Sequence, residues 1–145
     1  MTFRSVISAI ILVSFAQDTA AFLTKKEVQS LAKTKIVEVE KIEDNPGVYF
    51  QSYKFAKDPD FTVQTKARYF TVSWNEYHDD PQYDKVNAKN RQLAEEVVEN
   101  LIGSSRFVRA ITSGGVVKRI QEGRYIVSGS CSGNSFCLLS FDKAW

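Results

Sequence analysis

Between Trp74 and Asp84 the chain carries its densest chemistry: Trp74-Asn75-Glu76-Tyr77-His78-Asp79-Asp80-Pro81-Gln82-Tyr83-Asp84. This segment holds the single histidine, four carboxylates (Glu76, Asp79, Asp80 and Asp84) and three aromatic rings. Imidazole titrates near neutrality, and an adjacent carboxylate tunes it, so His78 with Glu76, Asp79 or Asp80 has the makings of an acid–base pair. Those four are the candidate catalytic residues. Oxygen ligands at this density also suit Ca²⁺, but the Asp-x-Asp-x-Asp-Gly spacing is missing. Zinc asks for three protein ligands, which one His with no free Cys supplies poorly. No metal and no cofactor is expected. The alternative is a solvated loop whose acids favour the N-terminus of the helix that follows. Its exposed side is then a docking surface of Trp74, Tyr77, His78, Asp79, Asp80 and Tyr83.

Gly129-Ser130-Cys131-Ser132-Gly133 spells a G-x-C-x-G nucleophile elbow. An elbow needs a helix directly after the nucleophile, with an acid and a histidine downstream. Here a turn and a β-rich run follow, and His78 lies upstream. Cys131 and Cys137 instead flank a turn-forming segment between two β-rich runs, so they are expected to bridge across a hairpin. Closing so short a loop is worth about 2 kcal/mol on the chain-entropy view.

Nineteen Lys and Arg against 17 Asp and Glu give a formal charge of +2, no footprint for a nucleic-acid partner. Basic residues such as Lys54, Lys66, Arg68, Arg109, Lys118, Arg119 and Arg124 recur on expected strands and read as a solvated sheet face. An apolar fraction of 43% excludes a disordered tail, and seven Gly with three Pro exclude a fibrous chain. The terminal Trp145 follows a β-rich run, as in outer-membrane barrels, but the long helical stripe after Asp84 leaves too little chain for eight spanning strands.

The first residues read as an export leader. Arg4 charges a short n-region, Val6 to Phe15 is an apolar run of ten, and Ser14 and Ala16 suit a cut before Gln17. Thr19 and Ala21 suit a cut as late as residue 21. Gln17 and Asp18 end the run too early for a membrane anchor. The expected organisation is a signal peptide at 1–16 and one globular domain at 17–145, with no membrane span in the mature chain. The expected address is periplasmic or extracellular, where a disulfide survives. The absence of any Asn-x-Ser/Thr sequon fits a bacterial chain better than a eukaryotic glycoprotein.

The elements that must position the candidate residues can also be read. Leu23-Thr24-Lys25-Lys26-Glu27-Val28 is a helix start, with Thr24 and Glu27 as a capping box and Leu23 with Val28 as a hydrophobic staple. Three strands are expected at Lys35–Ile42, Val48–Phe55 and Phe61–Trp74. In the third, the apolar parity switches at Tyr69-Phe70, which predicts a bulge or a crossing between layers. The longest helix is predicted from near Asp84 to Ile102, on a stripe of Val86, Leu93, Ala94, Val97, Val98, Leu101 and Ile102, with Gly103 at its end. Arg106–Thr112, Val116–Gln121, Arg124–Cys131 and Phe136–Phe141 read as a closing meander. The expected fold is α+β: a curved antiparallel sheet of about seven strands, ordered α-βββ-α-ββββ, packed on one main amphipathic helix.

Small size, one disulfide and no complete catalytic set together point to an exported, non-enzymatic binding protein. A protein inhibitor, an immunity-type protein or an accessory component of an envelope assembly would each fit, with another envelope or extracellular protein as partner. The competing expectation is a small secreted hydrolase or metal-dependent enzyme built on the His78 loop.

Overall fold

Helix α1 (Lys25–Ala32) starts as its sequence dictates. The Thr24 hydroxyl accepts from the Glu27 N–H at 3.3 Å, and the Glu27 carboxylate accepts from the Thr24 N–H at 2.7 Å, closing the capping box. The computed structural model describes residues 22–56, 60–133 and 135–144. The expected leader lies outside the described residues, as do most of the Lys57-Asp58-Pro59-Asp60 turn and Trp145.

Seven strands follow: β1 (Glu38–Asn45), β2 (Val48–Lys54), β3 (Phe61–Thr65), β4 (Tyr69–Asn75), β5 (Val117–Glu122), β6 (Tyr125–Ser132) and β7 (Phe136–Lys143). They form one antiparallel sheet in the order β1-β2-β3-β4-β7-β6-β5, so the last strands of the two halves meet at its centre. Helices α2 (Asp84–Ile102) and α3 (Arg106–Thr112) connect β4 to β5 and cover one face, α2 over β3 and β4, α3 over β5, β6 and β7. Helix α1 packs against α2. The α+β class and the seven-stranded antiparallel sheet are as the sequence predicts.

Two elements differ from expectation, and the errors cancel in the strand count. The single long strand Phe61–Trp74 is in fact a hairpin, β3 and β4. Lys66-Ala67-Arg68 reverses the chain so that Phe61 opposes Trp74, Val63 opposes Val72 and Thr65 opposes Phe70. The parity switch was thus a turn, which returns both apolar sets to the same face. The expected strand Arg106–Thr112 is helix α3, burying Phe107, Val108 and Ile111 at spacings of one and four. The order is therefore α-ββββ-αα-βββ. Gly114 and Gly115 end α3 rather than turn a hairpin: the Gly115 N–H reaches back to the Ala110 carbonyl at 2.9 Å, where a Cβ would sit 2.7 Å from that oxygen.

The core lies between sheet and helices. Tyr53, Phe61, Val63, Phe70, Val72, Trp74, Leu139 and Phe141 meet Val28, Ala94, Val97, Val98, Val108 and Ile111, all essentially inaccessible. Each large side chain among them contributes about 1.5–3 kcal/mol of transfer free energy, and together they set the sheet on the helices. Val37 and Val39, at the sheet's edge, stay exposed. The opposite sheet face carries small polar residues, Ser52, Thr62, Thr71, Ser73, Ser128 and Ser140. Among the described residues, no helix is long and apolar enough to cross a membrane.

Candidate functional site

Strand β4 leads out of the sheet into the dense segment, and its continuation is bound on both sides. The Glu76 N–H donates to the Ser135 carbonyl at 2.8 Å, tying it to the β6–β7 hairpin. That hairpin is closed by the expected disulfide, with Cys131 directly opposite Cys137. On the helix side, Asn87 accepts from the Tyr77 N–H at 2.9 Å and donates to the Tyr77 carbonyl at 2.6 Å. Asn90 donates to the Asn75 carbonyl at 3.0 Å. Two asparagines on the buried stripe of α2 therefore replace the sheet ladder that the strand has lost.

Glu76 sits beneath this frame with 1% of its surface exposed. Arg91 grips it with both arms of its guanidinium, Nε to Oε1 at 3.0 Å and Nη2 to Oε2 at 2.6 Å. The Trp74 indole N–H adds a third bond, to Oε1 at 3.1 Å. Burial pushes the Glu76 carboxyl up, but the Arg91 and Trp74 hydrogen bonds, with the Arg91 and His78 charges behind them, hold it below the usual value. A carboxylate held this way is an anion at neutral pH with both oxygens committed. The expected acid–base role for Glu76 thus finds a structural ion pair in its place.

The other candidates divide by exposure. Trp74, expected on a docking surface, is buried in the core, which corrects that expectation; its one polar atom serves Glu76. Tyr77 is half-buried, and its hydroxyl donates to Asp60 at 2.6 Å. That bond to a carboxylate, then burial, raises the Tyr77 hydroxyl above its ordinary value. The Tyr83 ring packs on Tyr77 with centroids 4.6 Å apart. Asp80 accepts from the Gln82 N–H at 3.0 Å and starts the short 3₁₀ turn Pro81–Tyr83. His78, Asp79, Asp80 and Tyr83 reach solvent. Among the described residues, no three His, Cys, Asp or Glu side chains converge to hold a metal. Cys131 is oxidised, so the G-x-C-x-G spelling supplies no thiol nucleophile.

Two clefts flank the loop. One, of about 290 Å³, is lined by Tyr77, His78, Asp84, Asn87 and Arg91 with Glu76 at its base. The other, about 700 Å³, opens where β1 begins and β2 ends, between Val37, Lys54, Asp60, Thr62, Asn75 and Phe136. The Tyr77–Asp60 hydrogen bond stands between them. Arg91, Asn87, Asn90, Asp60 and Phe136 were not anticipated as site residues. Two polar residues three apart on the apolar stripe of α2 were the available signal, since a buried amide must bond something. Arg91 carried none, because one charge at the stripe's edge looks like any solvated residue. Comparison of the chain with protein-family models, with curated proteins and with solved structures finds no match.

Proposed function

We propose that this chain is a small exported binding protein that docks another protein at the end of the sheet bearing the Glu76–Asp84 loop. The observation that carries the reading is a convergence at that end. Asp60, Asp79, Asp80 and Asp84 have no ion-pair partner among the described residues, and Tyr83, Phe136 and Val37 expose apolar surface beside them. Exposed aromatic anchors within a charged surround are a common interface composition, and unpaired carboxylates favour a partner with a cationic segment. The base beneath is stiff: disulfide, Asn87 clamp and Glu76–Arg91 pair all fix the loop, which lowers the entropy that docking must remove. The disulfide is compatible with an oxidising compartment, in keeping with export. Committing Glu76 to a structural ion pair takes from the competing enzymatic reading its best-placed carboxylate.

The test is site-specific photo-crosslinking in the exported protein. A photoreactive side chain at position 83 or 136 should give one discrete adduct, lost in the D79N/D80N background. The same group at Gln92, exposed on α2, should give none. Adducts of equal yield at position 92, or none at 83 and 136, would sink the reading.

A further inference from the structure

The opposite end of the sheet carries the reverse charge. The start of β4, the end of β7 and the start of β6 lie side by side there: the Lys143 N–H donates to the Arg68 carbonyl at 3.1 Å, and the Ala144 N–H to the Arg124 carbonyl at 3.0 Å. Arg68, Lys143 and Arg124 are thereby brought onto three adjacent strand ends, all exposed. Phe22, whose N–H bonds the Lys66 carbonyl, brings the exposed first turn of α1, with Lys25 and Lys26, to the same end. None of these five cations has an ion-pair partner among the described residues, whereas their neighbours Lys66 and Arg106 are paired with Asp44 and Glu122. Lys143 lies 4.7 Å from the Phe22 ring centroid and Arg124 5.4 Å from that of Tyr125, so aromatic faces steady both. The acids at this end are Glu27, occupied by the capping box, Asp142, Glu43, which accepts from the Gly47 N–H, and Asp44 and Glu122, each already paired with a neighbouring cation.

We propose that this cationic end is a docking surface for an anionic phospholipid bilayer. These cations share one end of the sheet, the end that a flat layer of phosphates can face. A linear polyanion would call instead for a stripe or groove along the surface, with free aromatic faces for stacking if it were a nucleic acid; Tyr125 is buried and Phe22 is packed on Phe70 and Tyr125. The carboxylates at the far end reinforce the arrangement. A negative surface attracts the Arg68–Arg124–Lys143 tip and repels the Asp79–Asp84 loop, so the chain stands with its strands upright and the loop facing away. The inference is independent of what docks on that loop.

The experiment is co-sedimentation of the protein, as secreted by an expression host, with two vesicle types: pure phosphatidylcholine, and phosphatidylcholine with about one third phosphatidylglycerol. Binding should require the anionic lipid and vanish as salt rises to roughly 0.5 M. R68Q/R124Q/K143Q should weaken it about a hundredfold, while K85Q/K89Q/K118Q, which removes the same charge elsewhere, should leave it within about twofold. Thermal unfolding of both variants checks that each is folded. Equal binding to the two vesicle types, equal losses in the two triple variants, or binding to soluble heparin but not to vesicles overturns the proposal.

Discussion

Replacing Arg91 by methionine tests whether Glu76 is held as a buried anion. Met keeps the aliphatic bulk of the arginine but removes both bonds to a carboxylate that is 1% exposed. Breaking one partner of a fully buried pair costs about 3–5 kcal/mol. Arg91 itself is 43% exposed, so water reaches this pair and the expected cost is lower, about 2 kcal/mol. For a domain of this size that is a fall of roughly 6–10 °C in Tm. The pH dependence is more diagnostic than the cost. In the native protein the Glu76 carboxyl lies below its ordinary 4.5, so its contribution is complete above that pH and is lost as pH falls through the folded-state value. Without Arg91, burial is opposed chiefly by the Trp74 N–H, and the carboxyl moves up. The variant should then gain stability as pH drops from neutrality toward 4.5, where the native protein is flat. Urea unfolding of both proteins between about pH 7 and pH 3 reads the two slopes directly. A loss under about 0.5 kcal/mol, or parallel profiles, would refute the buried-anion account.

Other perturbations follow from the same structure. Asn87→Ala removes both bonds that hold the Tyr77 backbone; about 2 kcal/mol should be lost, with amide exchange accelerating in 77–83 before the sheet. Removing the Cys131–Cys137 bridge as C131A/C137A should cost about 2 kcal/mol by calorimetry, and reductant should then have no further effect. Lys33 ends α1 in the left-handed region at φ 48°, so Lys33→Gly should raise stability by about 0.5 kcal/mol despite losing the exposed contact with Glu96; a drop in the urea midpoint would contradict that assignment.

What the sequence disclosed of the fold follows from how local each signal is. The capping box, the α2 stripe and the Cys131–Cys137 hairpin are each written within a few residues, and each appears in place. The β3–β4 turn was hidden because Lys66-Ala67-Arg68 contains no Gly, Pro, Asn or Asp; its reversal is held by the ladder on either side and by the Lys66 N–H to the Tyr69 carbonyl at 2.9 Å. Helix α3 was hidden because Arg106-Phe107-Val108-Arg109-Ala110-Ile111-Thr112 is rich in β-formers and short enough to satisfy either period. Packing of Phe107, Val108 and Ile111 on the sheet decides for the helix.

The site was legible in composition but not in role, and the reason is geometric. Glu76, Tyr77 and His78 are consecutive, yet one is sealed in the core, one spans the boundary and one faces water. As the chain leaves the sheet, alternation turns Trp74 and Glu76 inward together, and the indole N–H then has a carboxylate within reach. A buried carboxylate demands a cation, and the partner that meets it lies fifteen residues away on α2. Its distance follows from the length of the loop and the 3.6-residue period, so it becomes visible only once the helix is docked. The acids that remain on the surface are those that neither alternation nor the helix face could bring inward. The same folding that seals Glu76 into its ion pair therefore leaves Asp79, Asp80 and Asp84 outside, on a loop anchored at its base.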